Sequence, residues 1–249
     1  MNVVLLFDKE EKKLGTDSLF EKFLPFWAHE IRNPLQAIGG ALAVIEKRSD
    51  VKDMALAKSI HIVKEEVGNL TEFVQECMDY VRPPNKSHWG EVNINETLLL
   101  VVNLMTFMFK DLSEQISVRT VLDPQLSKVY ANYEEIKKAL LNVLKNGFES
   151  MQHTPNKVLT LKTINKPDDG WIEIIISDTG VGIKKETIPF VGTPFFTTKL
   201  RGTGLGLVIC HRIIVERHKG SLLIESQEDL GTTITIKLPL NQTKERHGV

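Results

Sequence analysis

The sequence has few of the features that mark secreted, metal-binding or membrane proteins. Its two cysteines, Cys77 and Cys210, lie far apart and in no metal-ligand spacing. Because both fall in apolar helical patterns, we interpret them as reduced core thiols of a protein in a reducing compartment. The longest apolar runs fall short of the roughly 18 residues that a membrane span needs, so none is predicted.

An excess of charge of either sign is also missing. The chain has 31 lysines and arginines and 32 aspartates and glutamates, which gives a net charge of -1. Nucleic-acid binding usually needs a strongly basic face, so we expect no nucleic-acid partner. The length of 249 residues allows one or two domains, and 42% hydrophobic residues is an ordinary share for a globular protein.

The first residues, MNVVLLFDKEEKK, lack the basic start and the length of a signal peptide. We interpret residues 1–17 as the linker remnant of a longer protein whose upstream part carried a sensor or a membrane segment. On this interpretation the chain is cytoplasmic and reaches a membrane only through that absent upstream segment. Residues 242–249 are interpreted as a tail.

Apolar residues recur at heptad spacing, alternately four and three apart, in two stretches. The stretches comprise Leu24, Ala28, Ile31, Leu35, Ile38, Leu42 and Ile45, and then Leu56, Ile60, Val63, Val67, Leu70, Val74, Cys77 and Val81. The pattern predicts an antiparallel hairpin of two helices, each roughly 40 Å long. Each helix buries only one stripe, so we expect two hairpins to form a four-helix bundle in a homodimer. The alternative is a hairpin packed against its own chain.

Pro83 and Pro84 end the second helix and set the predicted domain boundary. Beyond it, strands are predicted at 91–94, 116–121, 127–130, 157–164, 171–177, 221–226 and 232–238, and helices at 95–110, 132–151 and 203–218. Asn132, three residues before Glu135, predicts a capped helix start. The predicted fold is therefore an α + α/β sandwich, in which the helical hairpin precedes an α+β domain with helices on one face of a mixed sheet.

Three segments of this second domain carry glycines and polar residues that packing does not require: 141–146, 178–183 and 202–207. Glycine allows close approach of the backbone to a ligand, and a helix N-terminus attracts phosphate. The spacing matches neither a Rossmann fingerprint nor a Walker A loop. Asn142 and Asn146 share a helix face. They are either solvated polar residues or oxygen ligands for Mg²⁺.

Five motifs follow one another along the chain. They are HEIRNPL at 29–35, NVLKN at 142–146, DTGVG at 178–182, PFFTTK at 194–199 and GTGLGL at 202–207. Over about residues 20–240 the chain thus resembles the catalytic core of bacterial sensor histidine kinases, with the H, N, G1, F and G2 boxes. Among subgroups it looks most like the sporulation-type kinases of bacilli. The resemblance implies a dimerisation and phosphotransfer (HisKA) domain at 18–84 and an ATP-binding (HATPase_c) domain of the GHKL type at 85–241.

The resemblance also implies ATP and Mg²⁺ as cofactors. Asp178 would accept a hydrogen bond from the adenine amino group, and Asn146 would bind Mg²⁺ with Asn142 beside it. The remaining implied nucleotide-binding residues are Lys145, Gly180, Gly182, Ile183, Phe195, Phe196, Thr198, Lys199, Gly202, Thr203, Gly204, Leu205, Gly206, Leu207 and Thr232. The segment 191–201 would form a mobile lid. Related ATPases have a water-activating glutamate near the position of Asn142, so we expect slow hydrolysis and transfer to histidine.

The heptad supports His29 as the phosphoacceptor independently. With Ala28 and Ile31 in the seam, His29, Glu30 and Asn33 face away from the partner helix. Neutral imidazole is a good nucleophile, and Glu30 is our candidate acceptor for the proton on its second nitrogen. The alternative is a merely solvated histidine. That is our interpretation of the other six, which are His61, His88, His153, His211, His218 and His247.

The predicted function is ATP-dependent autophosphorylation of His29 and phosphoryl transfer to an aspartate in a response-regulator receiver domain, as in a sporulation phosphorelay. Asn33, one turn past His29, would orient water for dephosphorylation of that regulator. A regulatory inhibitor on the hairpin is a further hypothesis. The alternatives are an ATPase of the same superfamily, against which His29 and Asn142 argue, and a non-catalytic dimeric adaptor, against which Asn146 and Asp178 argue.

Overall fold

The computed structural model describes residues 2–5, 31–45, 54–81, 89–199 and 202–240. Two compact units divide the chain. The helical unit comprises residues 9–82 and 199–203, and the α/β unit comprises residues 1–8, 83–198 and 204–249. Strand β1 (Asn2–Leu5) belongs to the α/β unit and lies within residues 1–17, which were predicted to be a linker remnant.

The helical unit contains α1 over residues 31–45 and α2 over Met54–Val81. Its buried side chains include Pro34 and Ala41 on α1 and Leu56 and Phe73 on α2. Of these four, the predicted heptad seam contains only Leu56. Five other seam residues have at least 41% of their surface exposed: Leu35, Leu42, Ile60, Val67 and Val74. Among the helices in the described residues, none is long and apolar enough to span a bilayer.

A six-stranded sheet forms one layer of the α/β unit, with the order β1-β7-β8-β6-β5-β3. The strands are β1 (Asn2–Leu5), β3 (Ser117–Val121), β5 (Val158–Lys166), β6 (Trp171–Asp178), β7 (Ser221–Gln227) and β8 (Gly231–Pro239). Among these six described strands, β3 and β5 pair in parallel and the other neighbours pair antiparallel. A separate antiparallel pair joins β2 (Trp89–Val92) and β4 (Val129–Asn132). The sheet is mixed, as predicted, and β1 is an additional strand that the sequence analysis did not propose.

The helices of this unit form the second layer. They are α3 (Ile94–Met108), α4 (Lys110–Ser113), α5 (Tyr133–Ser150) and α6 (Gly206–His211), which continues as a π-helix over Arg212–Arg217. A 3₁₀ turn covers Ile188–Phe190. The side chain of Asn132 accepts a hydrogen bond from the Glu135 N–H at 3.2 Å, which is the predicted cap of α5. Helix α6 begins three residues later than predicted, because Gly204 has a φ of +69° and is not helical.

The main core lies between these layers. Ile136, Leu140, Leu144 and Phe148 recur every fourth residue along α5, and each is at most 1% exposed. On the sheet, Leu159 of β5 and Ile174 of β6 are equally buried. Helix α5 thus packs on β6 and its neighbours, and its last turn lies close to the end of β6. The predicted two-layer α/β sandwich is confirmed.

Candidate functional site

Helix α5 presents three of the predicted site residues. Asn142, Lys145 and Asn146 are all half-buried. The side-chain nitrogen of Asn142 donates a hydrogen bond to the carbonyl oxygen of Gly206, 3.3 Å away. A Cβ added at Gly206 would lie 3.9 Å from the Asn142 side chain. The motif on α5 is therefore in contact with the glycine-rich segment that opens α6.

Asp178 is the last residue of β6, and its Oδ1 atom is held by two protein donors. The backbone N–H of Gly180 donates to it at 2.8 Å, and the hydroxyl of Ser150 lies 2.9 Å away. Ser150 is the last residue of α5. Helix α5 is thus in contact with both the motif at the end of β6 and the motif that opens α6, within the α/β unit.

Ser150 was missed by the sequence analysis. It follows Asn146 by four residues, as Asn146 follows Asn142, so the three side chains share one helical face. A third polar residue in that i, i+4 series was the available signal. The stretch that resembles the family motif ends at Asn146 and does not include Ser150.

Two glycines of the predicted site permit close contacts within the protein. A Cβ at Gly180 would lie 2.0 Å from the Ser150 hydroxyl oxygen, so only glycine fits beside Ser150. Gly204 has a φ of +69°, and a Cβ there would lie 2.5 Å from the Phe195 carbonyl carbon. Packing within the protein therefore requires both glycines, and the expectation that packing does not require them was wrong at these two positions.

The segment predicted as a lid contains both buried and exposed residues. Phe195 is 9% exposed and has a φ of +65°. The Phe196 ring lies 5.5 Å from that of Phe190. Thr198 and Lys199 are exposed, and Lys199, Gly202 and Thr203 belong to the helical unit.

The remaining predicted contacts differ in how far their side chains are accessible. Leu205 is fully buried, so the predicted contact of this residue with a nucleotide has no exposed surface in the structure. Leu207, Gly182 and Ile183 are half-buried. Thr232 lies directly opposite Asp178 in the β6–β8 pair, and its hydroxyl is 2.9 Å from that of Ser226. Thr232 is therefore next to the carboxylate predicted to bind adenine.

The donor set suits magnesium rather than a softer metal. Within the residues that the structure describes, no group of three or more histidine, cysteine, aspartate or glutamate side chains could hold a metal ion. Asn142 and Asn146 offer amide oxygens, and the Asn142 nitrogen is engaged by Gly206, which leaves its oxygen for a cation. Mg²⁺ prefers oxygen ligands and takes much of its coordination from substrate phosphates and water. These residues therefore fit a magnesium–nucleotide complex.

The phosphoacceptor motif is only partly covered. His29 and Glu30 lie outside the described residues. Asn33 lies on α1 and is exposed, as the heptad predicted. Leu35, a seam residue, is 52% exposed as well, so exposure in one hairpin does not by itself distinguish the two faces.

Two histidines that we interpreted as solvated are buried, and for them that prediction was wrong. His218 is fully buried and His211 is 9% exposed. The Nε2 atom of His218 accepts the Asn132 N–H at 3.0 Å, and its Nδ1 lies 2.7 Å from the Ile213 carbonyl oxygen. Nδ1 therefore carries the proton and donates it. The ring also stacks on Trp89 at 4.6 Å, so His218 fixes the end of the π-helix to the capping residue of α5.

Comparison with known families gives two matches in the order of the two predicted domains. Residues 21–86 match the His Kinase A (phospho-acceptor) domain. Residues 131–242 match the family described as histidine kinase-, DNA gyrase B-, and HSP90-like ATPase. The matches include His29 in the first case and Asn142, Asp178 and Gly206 in the second.

Two curated relatives match most of this chain. Sporulation kinase E of Bacillus subtilis is 30% identical over 218 residues, which is 88% of this chain and 28% of that protein. The signal transduction histidine-protein kinase AtoS of Escherichia coli is 32% identical over 86% of this chain and 34% of its own length. The chain thus spans about a third of the length of these relatives.

Solved structures agree in fold. The crystal structure of histidine kinase ThkA in complex with response regulator protein TrrA has a TM-score of 0.73 and 26% identity, over 92% of this chain and 64% of that one. The catalytic domain of ThkA alone has a TM-score of 0.54 and 27% identity, over 61% of this chain and 96% of that one.

Proposed function

The chain belongs to the sensor histidine kinases, and from this membership we propose that it uses ATP to phosphorylate its own His29 and passes the phosphoryl group to an aspartate of a response regulator. The observation that carries the proposal is that α5 contacts both glycine-containing motifs in the α/β unit. Asp178 is held by Ser150 at the end of α5, and Asn142 of the same helix is bonded to Gly206.

In this proposal each group has one task. The carboxylate of Asp178 accepts a hydrogen bond from the adenine amino group. Asn146, with Asn142 beside it, holds Mg²⁺, and Lys145 contacts phosphate oxygens. When bound, Mg²⁺ neutralises charge on the phosphates during transfer. Gly204, Gly206 and Leu207 complete the phosphate contacts.

The transfer step itself belongs to His29. One nitrogen of its neutral imidazole forms a bond to the γ-phosphorus while the bond from that phosphorus to the bridging oxygen breaks, and ADP leaves with the electron pair. The other ring nitrogen carries a proton as positive charge develops, and Glu30 accepts it. The phosphoryl group then moves from His29 to an aspartate oxygen of the regulator.

A homodimer is part of the proposal, because the phosphoacceptor domain implies dimerisation. The exposed seam supports it, since five apolar heptad residues are at least 41% exposed in one hairpin. A second hairpin would cover such a stripe.

The regulator class is proposed from relatives. ThkA was crystallised with a response regulator protein, and two sporulation kinases of Bacillus subtilis match this chain at 30% and 31% identity. We therefore propose a receiver domain as the phosphoryl acceptor, within a sporulation-type phosphorelay.

The experiment supplies the full chain with γ-labelled ATP and Mg²⁺. We expect a label on the protein that is labile in acid and stable in base, and its complete loss in His29→Gln. His61→Gln, which changes an exposed histidine on α2, is the matched control and should retain the label. Asn146→Asp should abolish labelling while circular dichroism stays unchanged. A label that persists in His29→Gln would refute the assignment.

A further inference from the structure

The contact between Ser150 and Asp178 is the strongest feature that the proposed function leaves unused. Ser150 ends α5, and Asp178 ends β6, so the contact joins the helix layer to the sheet layer at one point. The Ser150 hydroxyl oxygen is 2.9 Å from Asp178 Oδ1 and 2.8 Å from the carbonyl oxygen of Gly147. A serine hydroxyl has one proton, so it donates to one of these two acceptors at a time.

The carboxylate is the stronger of the two acceptors. Hydrogen bonds to an ionised group are shorter and roughly twice as strong as those between neutral groups. The Ser150 proton therefore goes to Asp178 when this carboxylate is ionised. With the Gly180 N–H, which donates to the same oxygen at 2.8 Å, the plane of the carboxylate is fixed by two donors on Oδ1.

Neighbouring residues also hold Ser150 and Asp178 in place. The carbonyl oxygen of Ser150 accepts the N–H of Val181 at 3.1 Å, so Ser150 holds the loop after β6 by its backbone as well. Gly180 must be glycine, since a Cβ there would lie 2.0 Å from the Ser150 hydroxyl. The second carboxylate oxygen, Oδ2, lies on the side of Gly147, where an added Cβ would sit 3.7 Å away.

We propose that Ser150 is a specificity-determining positioning residue, whose hydroxyl turns the Asp178 carboxylate towards the exocyclic amino group of the purine. This inference rests on the proposed function, in which Asp178 binds adenine. A purine with an amino group at this position donates to the carboxylate, whereas one with a carbonyl group there repels it. A site that hydrogen-bonds one group discriminates strongly against its replacement, provided that the acceptor is held in place.

The test measures the dissociation constants of ATP and ITP for the full chain with Mg²⁺ by calorimetry. ITP has a carbonyl oxygen where ATP has the amino group. We expect the wild type to prefer ATP, and Ser150→Ala to lower the ratio of the two affinities about tenfold, the effect of one charge-assisted hydrogen bond. Ser150→Cys keeps the side-chain size with a weak donor and should also lower the ratio.

Thr154→Ala is the matched control. Its hydroxyl also donates to a carbonyl three residues earlier, that of Met151 at 3.1 Å, and removing it should leave the ratio within about twofold. In an Asp178→Asn background, Ser150→Ala should have no further effect on the ratio, because the serine acts through the carboxylate.

Equal weakening of ATP and ITP in both Ser150 variants would assign Ser150 a structural role and overturn the inference. If Asp178→Asn removes the preference for ATP while the Ser150 variants keep it, the inference fails and the proposed adenine contact stands. If the wild type or Asp178→Asn shows that Asp178 does not select ATP, both fail together.

Discussion

The helical unit and the α/β unit differ in how far their regularly spaced apolar residues are exposed. In the α/β unit, Leu144 and Phe148 of α5 are fully buried. In the helical unit, Leu35 and Val67 belong to an equally regular apolar pattern, but 52% and 48% of their surface is exposed. A two-layer sandwich encloses a core within one chain, whereas a hairpin of two helices has no second layer. The same kind of periodicity thus predicts a core in one unit and a contact surface in the other.

The largest expected effect separates these two kinds of apolar residue. Phe148→Ala should lower the free energy of unfolding of the α/β unit by about 3–5 kcal/mol, because it empties a buried site next to Phe109. Val67→Ala on α2 should change stability by about 1 kcal/mol or less in the monomeric state, since half of its side chain is already in water. Urea unfolding measures the free energy of unfolding of both variants. Comparable losses would contradict the difference between the two units.

Two histidines extend the comparison of buried and exposed residues to polar side chains. His218→Ala should cost about 3 kcal/mol of unfolding free energy, because it leaves the buried N–H of Asn132 without its acceptor and opens a cavity beside Trp89. His61→Ala, on the exposed face of α2, should stay within about 0.5 kcal/mol. Thermal unfolding of the two variants decides this, and a negligible loss in His218→Ala would contradict the hydrogen-bond assignment.

A charged residue in the heptad seam tests whether a second hairpin covers this seam. Val67→Glu should weaken the homodimer by about 2 kcal/mol, or roughly thirtyfold in its dissociation constant, because a carboxylate would be buried without a partner. Lys64→Glu, one turn earlier and outside the seam, is the control and should leave the dimer intact. Light scattering over a dilution series measures the dissociation constant of the homodimer for both variants. A wild-type chain that is already a monomer at micromolar concentration would refute the bundle.

The smallest effect concerns the outer face of the sheet. Glu173 is 7% exposed, and the Nζ atoms of Lys166 and Lys237 lie 2.9 and 3.2 Å from its Oε1. Burial alone would raise the pKa of Glu173, but hydrogen bonds and charge attraction from the two lysines outweigh it, so its pKa lies below the ordinary value.

A depressed carboxylate pKa stabilises the fold above the pKa of the unfolded chain. That contribution is lost as the pH falls from about 4.3 through the lower value of the folded state. We expect a loss of about 1 kcal/mol or less in this range, measured by urea unfolding at several pH values. Glu173→Gln should flatten the dependence, and an unchanged slope would rule out Glu173 as its source.

Much of the fold was predictable because its signals are local. The strands of the sheet from β3 to β8 lie within a few residues of their predicted positions, since alternation and turn residues mark them. The start of α5 was predicted from Asn132 and Glu135, which form the cap within one turn. Strand β1 was missed, because its four residues are too few to predict a strand without the edge of β7, with which they pair.

The candidate site divides in the same way. Asn142, Asn146, Asp178 and Gly206 were predicted from motifs. Hydrogen bonds join Asn142 to Gly206 and Asp178 to Ser150 of α5. Ser150 belongs to no quoted motif. The burial of His218 was mispredicted, because its partners Asn132 and Trp89 lie far from it in the sequence.

The sequence by itself determined the two periodicities, the helix caps and the order of the motifs, because these depend on residues a few positions apart. Only the tertiary structure decided that Ser150 holds Asp178, 28 positions away, and that His218 receives the N–H of Asn132, 86 positions away. Such contacts depend on which strand lies beside which helix, and on the exclusion of water from both partners once the layers have packed. Local sequence patterns predict neither the neighbouring element nor the exclusion of water.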